Sequence, residues 1–531
     1  MAFGARLGLM LVLGFGVGCG RSVRNAEDTG AGGSSGKGSG GTGSGRGGVG
    51  GASGAGARGG SSGTGAAGAG GEGASSARLF YETLGALVST DLAGGELVEH
   101  CLQPNVSGKY VLVGLDGDRV IFFFQKGVSP YDTAIVRVAL DGSECRTVFE
   151  GPITSAISPF IGGRIVFSVP PVAATAELEL PEPPQRIPLA ASGLASIRTT
   201  GEDYTLLAPR GVRFVSTEGE RVVFGTTETI PEAFSILPDG TERTSLMPDA
   251  GSQSIAFVRD GRAIVNVSGD VYTVNEDGSD FFAVSAGPEL DHAAGLAGEF
   301  LILGRTSSSG SLPGTDLYAV GMDGAGLVPL ATNPESESFA GASGERVIFT
   351  RGTAGGSDLY SVLVDGTDVR TLAASPEAHE YLVAFADERA LFASVTSVGG
   401  AGRLAFISSE LDGGDPVVLH DDAISLPAVV DGRAVVMVRA NDYDLVSVPL
   451  VGGAPTFLAD SRYQDWLVGR LGSSLIVHAG SLGEAGVVSR VTADGSVRSE
   501  LMPSALYVGA VTEACGAVPA GDYGLALCRD D

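Results

Sequence analysis

Five acidic clusters recur along the second half of the chain and mark where chemistry could reside. They read Pro288-Glu289-Leu290-Asp291-His292, Pro334-Glu335-Ser336-Glu337, Pro376-Glu377-Ala378-His379-Glu380, Asp421-Asp422 and Gln464-Asp465-Trp466, each a little over forty residues after the last. Carboxylates in that density, with two histidines and the only tryptophan, suit the capture of a cation or a basic peptide by a charged mouth. The candidate ligand-binding residues are Glu289, Asp291, His292, Glu335, Glu337, Glu377, His379, Glu380, Asp421, Asp422, Asp465 and Trp466. The plain alternative is solvated loop charge.

Other chemistries find less support. A zinc site needs His or Cys at ligand spacing, and His100, His292, His379, His420 and His478 each stand in a different stretch with no His-x3-His pair. The segments Asp116-Gly117-Asp118 and Asn275-Glu276-Asp277-Gly278-Ser279-Asp280 are faintly calcium-like, but they lack the alternating oxygen ligands and terminal Glu of a calcium loop. Residues 36–41 match a dinucleotide fingerprint and residues 32–36 a nucleophile elbow. Neither has the strand and helix that give those motifs their mechanics. The sequence therefore predicts no metal, no cofactor and no catalytic residue.

What must position the acidic clusters is a repeat. DLYAVGMDGAGLVPL (residues 316–330) returns as DLYSVLVDGTDVRTL (residues 358–372), each an alternating run, an Asp-Gly turn and a second short run. Such a unit is a hairpin. Between the copies lies another hairpin, turning at Ser343-Gly344. Two hairpins in a period in the forties predict the four-stranded blades of a β-propeller. One apolar strand can be followed through DRVIFFF (118–124), GRIVFSV (163–169), ERVVFGT (220–226), GRAIVNV (261–267), EFLILGR (299–305), ERVIFTR (345–351), ERALFAS (388–394), GRAVVMV (432–438) and SSLIVHA (473–479). The fold class is all-β, with about eight to ten antiparallel blades in one ring or two smaller propellers. Nine complete units plus one blade joined from the two chain ends would give ten.

The joined blade is expected to take its outer hairpin from residues 79–102 and its inner hairpin from residues 506–527. Closure of this kind removes exposed sheet edges. One Asp-Gly-type turn is missing between Asp141 and Asp239, and the sequence places it near Ser192-Gly193. Residues 170–188, rich in Pro and Glu, read as a surface insertion.

The repeated D-L/I-Y-x-V-x-x-D-G unit, clearest at Asp316-Leu317-Tyr318 and Asp358-Leu359-Tyr360, resembles the TolB-like, WD40-like propeller repeat. The resemblance covers roughly residue 79 to the C-terminus. It implies a periplasmic or surface propeller that recognises proteins through one face. The family's N-terminal α/β domain has no counterpart here, so no partner identity follows.

Residues 1–18 read as a secretory signal, with Arg6 before an apolar run too short to span a bilayer. Phe15-Gly16-Val17-Gly18-Cys19 resembles a lipobox, which makes Cys19 the expected lipidation site. Residues 19–77 are nearly all Gly, Ser, Ala and Thr and are predicted to be a disordered tether. Residues 78–531 are the propeller. A net charge of −28 argues against nucleic acid and against adhesion to anionic lipid, and favours a soluble monomer. Four further cysteines are expected to be oxidised. The reading joins Cys101 to Cys515 or Cys528 across the closure, with Cys515–Cys528 as the rival pairing.

The function expected is a non-catalytic protein-binding platform. It would be lipid-anchored in the cell envelope, face the periplasm or the exterior, and bind an envelope or extracellular protein or a basic peptide. The alternative is a propeller enzyme or lectin working on glycans or peptides in the channel.

Overall fold

The computed structural model describes residues 78–511 apart from short loop stretches between strands. Every regular element among the described residues is a β-strand. Residues 1–77 and 512–531, which hold Cys19, the tether, Cys515 and Cys528, lie outside them.

Blade 5 shows the plan. An inner strand Gln253–Arg259 is followed by Arg262–Val267, Asp270–Asn275 and an outer strand Phe282–Ser285, paired antiparallel in that order. Numbered from the closing blade, blades 2 to 10 span residues 108–150, 155–208, 212–245, 253–285, 290–331, 337–373, 378–420, 423–459 and 465–505.

The middle of the second strand of each blade is apolar because both of its faces are covered. Successive side chains point to opposite faces. Ala263 and Val265 therefore meet Val223 and Val258 in the seam with blade 4, while Ile264 meets Leu301 and Leu303 in the seam with blade 6. The same strand carries a fully buried Phe in blades 2, 3, 4, 7 and 8: Phe122, Phe167, Phe224, Phe349 and Phe392. Truncating any of them to Ala would cost about 3–5 kcal/mol.

Hydrophobic cores fill every seam in turn, and one containing Leu87, Phe122, Ile476 and Leu501 ties blade 10, blade 1 and blade 2 together. Ten blades thus close into a single ring, and the chain is a β-propeller.

The Asp-Gly turns join third to outer strands. In blade 7, Gly366 N–H donates to Leu363 O at 2.9 Å and Leu363 N–H to Thr367 O at 3.0 Å, with Gly366 at φ 78°. This is a three-residue loop with its glycine in the left-handed region. A Cβ at Gly366 would also stand 2.7 Å from Pro329 O of blade 6, so the position excludes side chains twice over. Asp365 accepts from Thr367 N–H and Oγ1–H at 2.9 and 2.6 Å, which lowers its pKa. Asp277 does the same with Ser279. The calcium-like stretch around it is therefore a turn of the same kind, in which Asp277 Oδ1 accepts both bonds from Ser279.

Three expectations change. The closing blade is three strands plus one: Arg78–Thr83, Ala86–Asp91 and Leu97–Leu102 from the N-terminal side, and the second half of Arg498–Val511 as the inner strand. Residues 79–102, read as an outer hairpin, hold a third strand as well, because Arg78–Thr83 pairs with Ala86–Asp91 on one side and with the inner strand on the other. Second, Cys101 is bonded to Cys145, at a Cα–Cα separation of 5.6 Å, not to Cys515 or Cys528. Both cysteines stand on outer strands of neighbouring blades, so ring adjacency decides the partner. The bridge still ties the closing blade to the ring. Third, the missing turn of blade 3 sits at Thr200-Gly201, and Gly193 instead begins a strand, Gly193–Arg198. The insertion before it carries a two-stranded ribbon, Glu177–Glu179 with Arg186–Pro188.

Candidate functional site

All five acidic clusters lie where the chain leaves an outer strand and begins the next inner strand, so they share one face of the ring. Their residues divide into two sets. Glu289, Glu335, Glu377, Asp421 and Asp422 are exposed, as are His292 and His379, on the leading segments of blades 6, 7, 8 and 9. They form an acidic crescent. Asp291, Glu337, Glu380 and Asp465 are 4, 0, 2 and 0% exposed and do not belong to a solvated rim. Trp466 is half-buried against the core between blades 9 and 10. The alternation of an inner strand explains the split: Ala378 and Glu380 turn inward while His379 between them turns out.

The buried set lies in rows that cross each blade. Asp291 is in register with Arg305 and Arg305 with Asp316. Glu337, Arg351 and Asp358 repeat this in blade 7. Arg305 holds Asp291 bidentately, Nε to Oδ1 and Nη2 to Oδ2 both at 2.8 Å, and its guanidinium lies 4.8 Å from the centre of the Tyr318 ring. Arg351 donates to Glu337 Oε1 at 3.1 Å and stands 4.5 Å from the Tyr360 ring. Such pairs are the strong form of the charge-assisted hydrogen bond. Burial opposes ionisation of Asp291, but Arg305 and Ser285 outweigh it and hold its pKa below the usual value. For Glu337 burial wins over Arg351, and the pKa is raised.

The row breaks in blade 8. Glu380 is in register with Ser394, and Ser394 with Ala405. Neither the arginine nor the third-strand aspartate is present. Ser394 Oγ lies 3.4 Å from Glu380 Oε1, and Oε2 has no hydrogen-bond partner. Burial first, and then the Asp358 charge, push the Glu380 carboxyl up to about 7.

Each row also meets its neighbour at a seam. Asp291 N–H donates to Gly269 O at 2.6 Å, Ser357 pairs with His379, and Asp465 N–H donates to Tyr443 O at 2.9 Å. By that register, and by the Thr315 N–H to Ser336 Oγ bond between blades 6 and 7, the seams set Asp270 beside Asp291, Asp316 beside Glu337, Asp358 beside Glu380, and Asp444 beside Asp465. Acid stands with acid. Among the described residues, no group of three or more His, Cys, Asp and Glu converges as a metal site would require.

No protein-family model matches the chain, and no curated protein does. Solved structures do. The β-propeller domain of the Trilobed protease from Pyrococcus furiosus is similar over 59% of this chain and 99% of its own, at 16% identity and a TM-score of 0.32. Dipeptidyl peptidase 4 of Porphyromonas gingivalis is similar over 74% of this chain and 59% of its own, at 10% identity and a TM-score of 0.40. A puromycin-hydrolyzing peptidase of Mycobacterium tuberculosis is similar over 57% and 55%, at 14% identity and a TM-score of 0.30. The chain spans little more than half the length of these two peptidases. The likeness is one of fold, and no residue of theirs carries over.

Proposed function

We propose that this chain is an envelope-anchored lipoprotein, held at Cys19, whose ring is a non-catalytic platform for a basic segment of an envelope or extracellular protein. The observation that carries the reading is the exposed crescent of Glu289, Glu335, Glu377, Asp421 and Asp422 on consecutive blades. A formal charge of −28 extends the same sign over the molecule and would steer a cationic partner towards it. Among the described residues, Asp421 is the one crescent carboxylate in an ion pair, with Arg403 at 2.6 Å. The TolB-like repeat is consistent with an envelope platform of this kind, acting as a monomer without cofactor.

The test is capture of partners by the full-length protein from detergent-solubilised envelopes, beside a variant with all five crescent carboxylates changed to amides. The expected result is a basic protein retained by the native ring, released by salt and lost in the variant. Equal capture by both would discard the crescent. One observation favours a rival: a buried carboxyl held near neutrality is what a general acid requires. If Glu380 were that acid, the protein would turn over a peptide or glycan and Glu380→Gln would stop it.

A further inference from the structure

Blades 6 and 7 each place a carboxylate on the inner strand and, fourteen residues later, an arginine on the second strand that binds it. Blade 8 keeps the carboxylate and replaces the arginine with Ser394 at the same interval. The carboxylate has not turned away. Its Oε1 faces Ser394, the place from which a guanidinium would come, and its Oε2 is buried with nothing bound. A carboxylate in that state is costly to ionise unless a cation joins it.

The groups around the carboxyl are already engaged. Asp358 of blade 7 flanks it and takes its own hydrogen bond from Tyr360 at 3.3 Å. Ser357 Oγ–H donates to Glu380 O at 3.2 Å. Arg351 is engaged by Glu337, and Arg403 of the third strand of blade 8 by Asp421. Of the other titratable groups on the strand, His379 points outward and Tyr381 packs against the core between blades 8 and 9, where burial raises its pKa. Neither arginine is therefore at hand for Glu380. Ser394 and Asp358 are half-buried and Glu377, three residues before Glu380, is exposed, so solvent reaches the groups around the buried carboxyl.

We propose that this seam is a receptor for a guanidinium carried by the ligand, an arginine side chain of the basic segment, which completes in blade 8 the pairing that blades 6 and 7 make for themselves. The inference rests on the platform reading and gives its ligand a chemistry. In the free ring Glu380 carries a proton for part of the time. Arrival of the guanidinium releases it to solvent and leaves a carboxylate–guanidinium pair beside Asp358. Lysine fits less well, because the pair in blade 6 uses the nitrogen fork of arginine; in blade 7 Arg351 makes one bond, to Glu337 Oε1.

The probe is L-argininamide, titrated calorimetrically into the full-length protein at pH 7 in two buffers of different ionisation enthalpy. L-citrullinamide serves as the uncharged isostere. The expected result is saturable binding of argininamide only, with release of about half a proton per site, since Glu380 is half-protonated there. Ser394→Arg supplies the guanidinium from within, and with Glu380→Gln it should abolish binding, while Ser394→Ala retains it. Absence of saturable binding to the native protein, equal binding of citrullinamide, or unchanged binding in Glu380→Gln would overturn the proposal. A protein partner captured equally by native and Glu380→Gln rings, yet lost with the crescent, would sink the receptor and leave the platform standing.

Discussion

Changing Glu380 to Gln should make the ring more stable at neutral pH and leave it unchanged in acid. The sign follows from a folded pKa raised to about 7 against an ordinary 4.5. Below pH 4.5 the carboxyl is protonated in both folded and unfolded chains and contributes nothing. As pH rises towards 7 the unfolded chain ionises freely while the folded one resists, so stability falls; above 7 the loss is complete. The displacement corresponds to at most about 3 kcal/mol. Glutamine keeps the shape and the acceptor for Ser394 without the charge. Spread over a ring of roughly 430 residues, 3 kcal/mol is a melting shift of only about 3 °C. Denaturant midpoints of native and variant proteins, taken at unit intervals from pH 4 to pH 8, are therefore the better assay. The two curves should coincide at pH 4 and separate through pH 6, with the variant higher. A constant difference across the range, or a native protein more stable at pH 8, would refute the argument that Glu380 is buried without a cation.

Two further outcomes follow from the same geometry. Arg305→Met strands Asp291 in its seam and should cost about 3–5 kcal/mol at pH 7, of which Asp291→Asn in the same chain should recover a large part; denaturant titration of the single and double variants reads both. Reduction of Cys101–Cys145, which closes 44 residues of chain, should remove about 4 kcal/mol by loop entropy. The loss should appear as faster amide exchange in residues 78–102, with residues 253–459 unaffected; uniform acceleration would mean that the bridge does not act on the closing blade alone.

The repeat was legible in the sequence because two constraints act within a few residues of each other. An Asp-Gly pair is demanded by a turn whose glycine has φ near 78°, and a run such as Val347-Ile348-Phe349 is demanded by a strand covered on both faces. Those signals gave the ten units. Closure by a blade joined from both chain ends was legible, but its division into three strands and one, and the disulfide partner, were not, since both depend on which strands become neighbours around the ring. The acidic clusters were found but not sorted. Glu335 and Glu337 are two residues apart, yet one is in solvent and the other fully buried, a distinction set by where the inner strand begins. The signal that would have sorted them was present: LILGR and VIFTR end in the arginines that bind Asp291 and Glu337, and ALFAS ends in Ser394.

The acid-lined seams also bear on how the ring answers acid. Like charges held side by side repel unless one takes up a proton or a cation. At the seam of blades 7 and 8 the Asp358 charge adds to burial in raising the Glu380 pKa, and Ser394 stands where blades 6 and 7 have an arginine. The apolar core there, with Ile348, Leu359 and Phe392, holds the two blades together against that repulsion. A fall in pH relieves it, so this joint tightens in acid where one pinned by an ion pair would loosen.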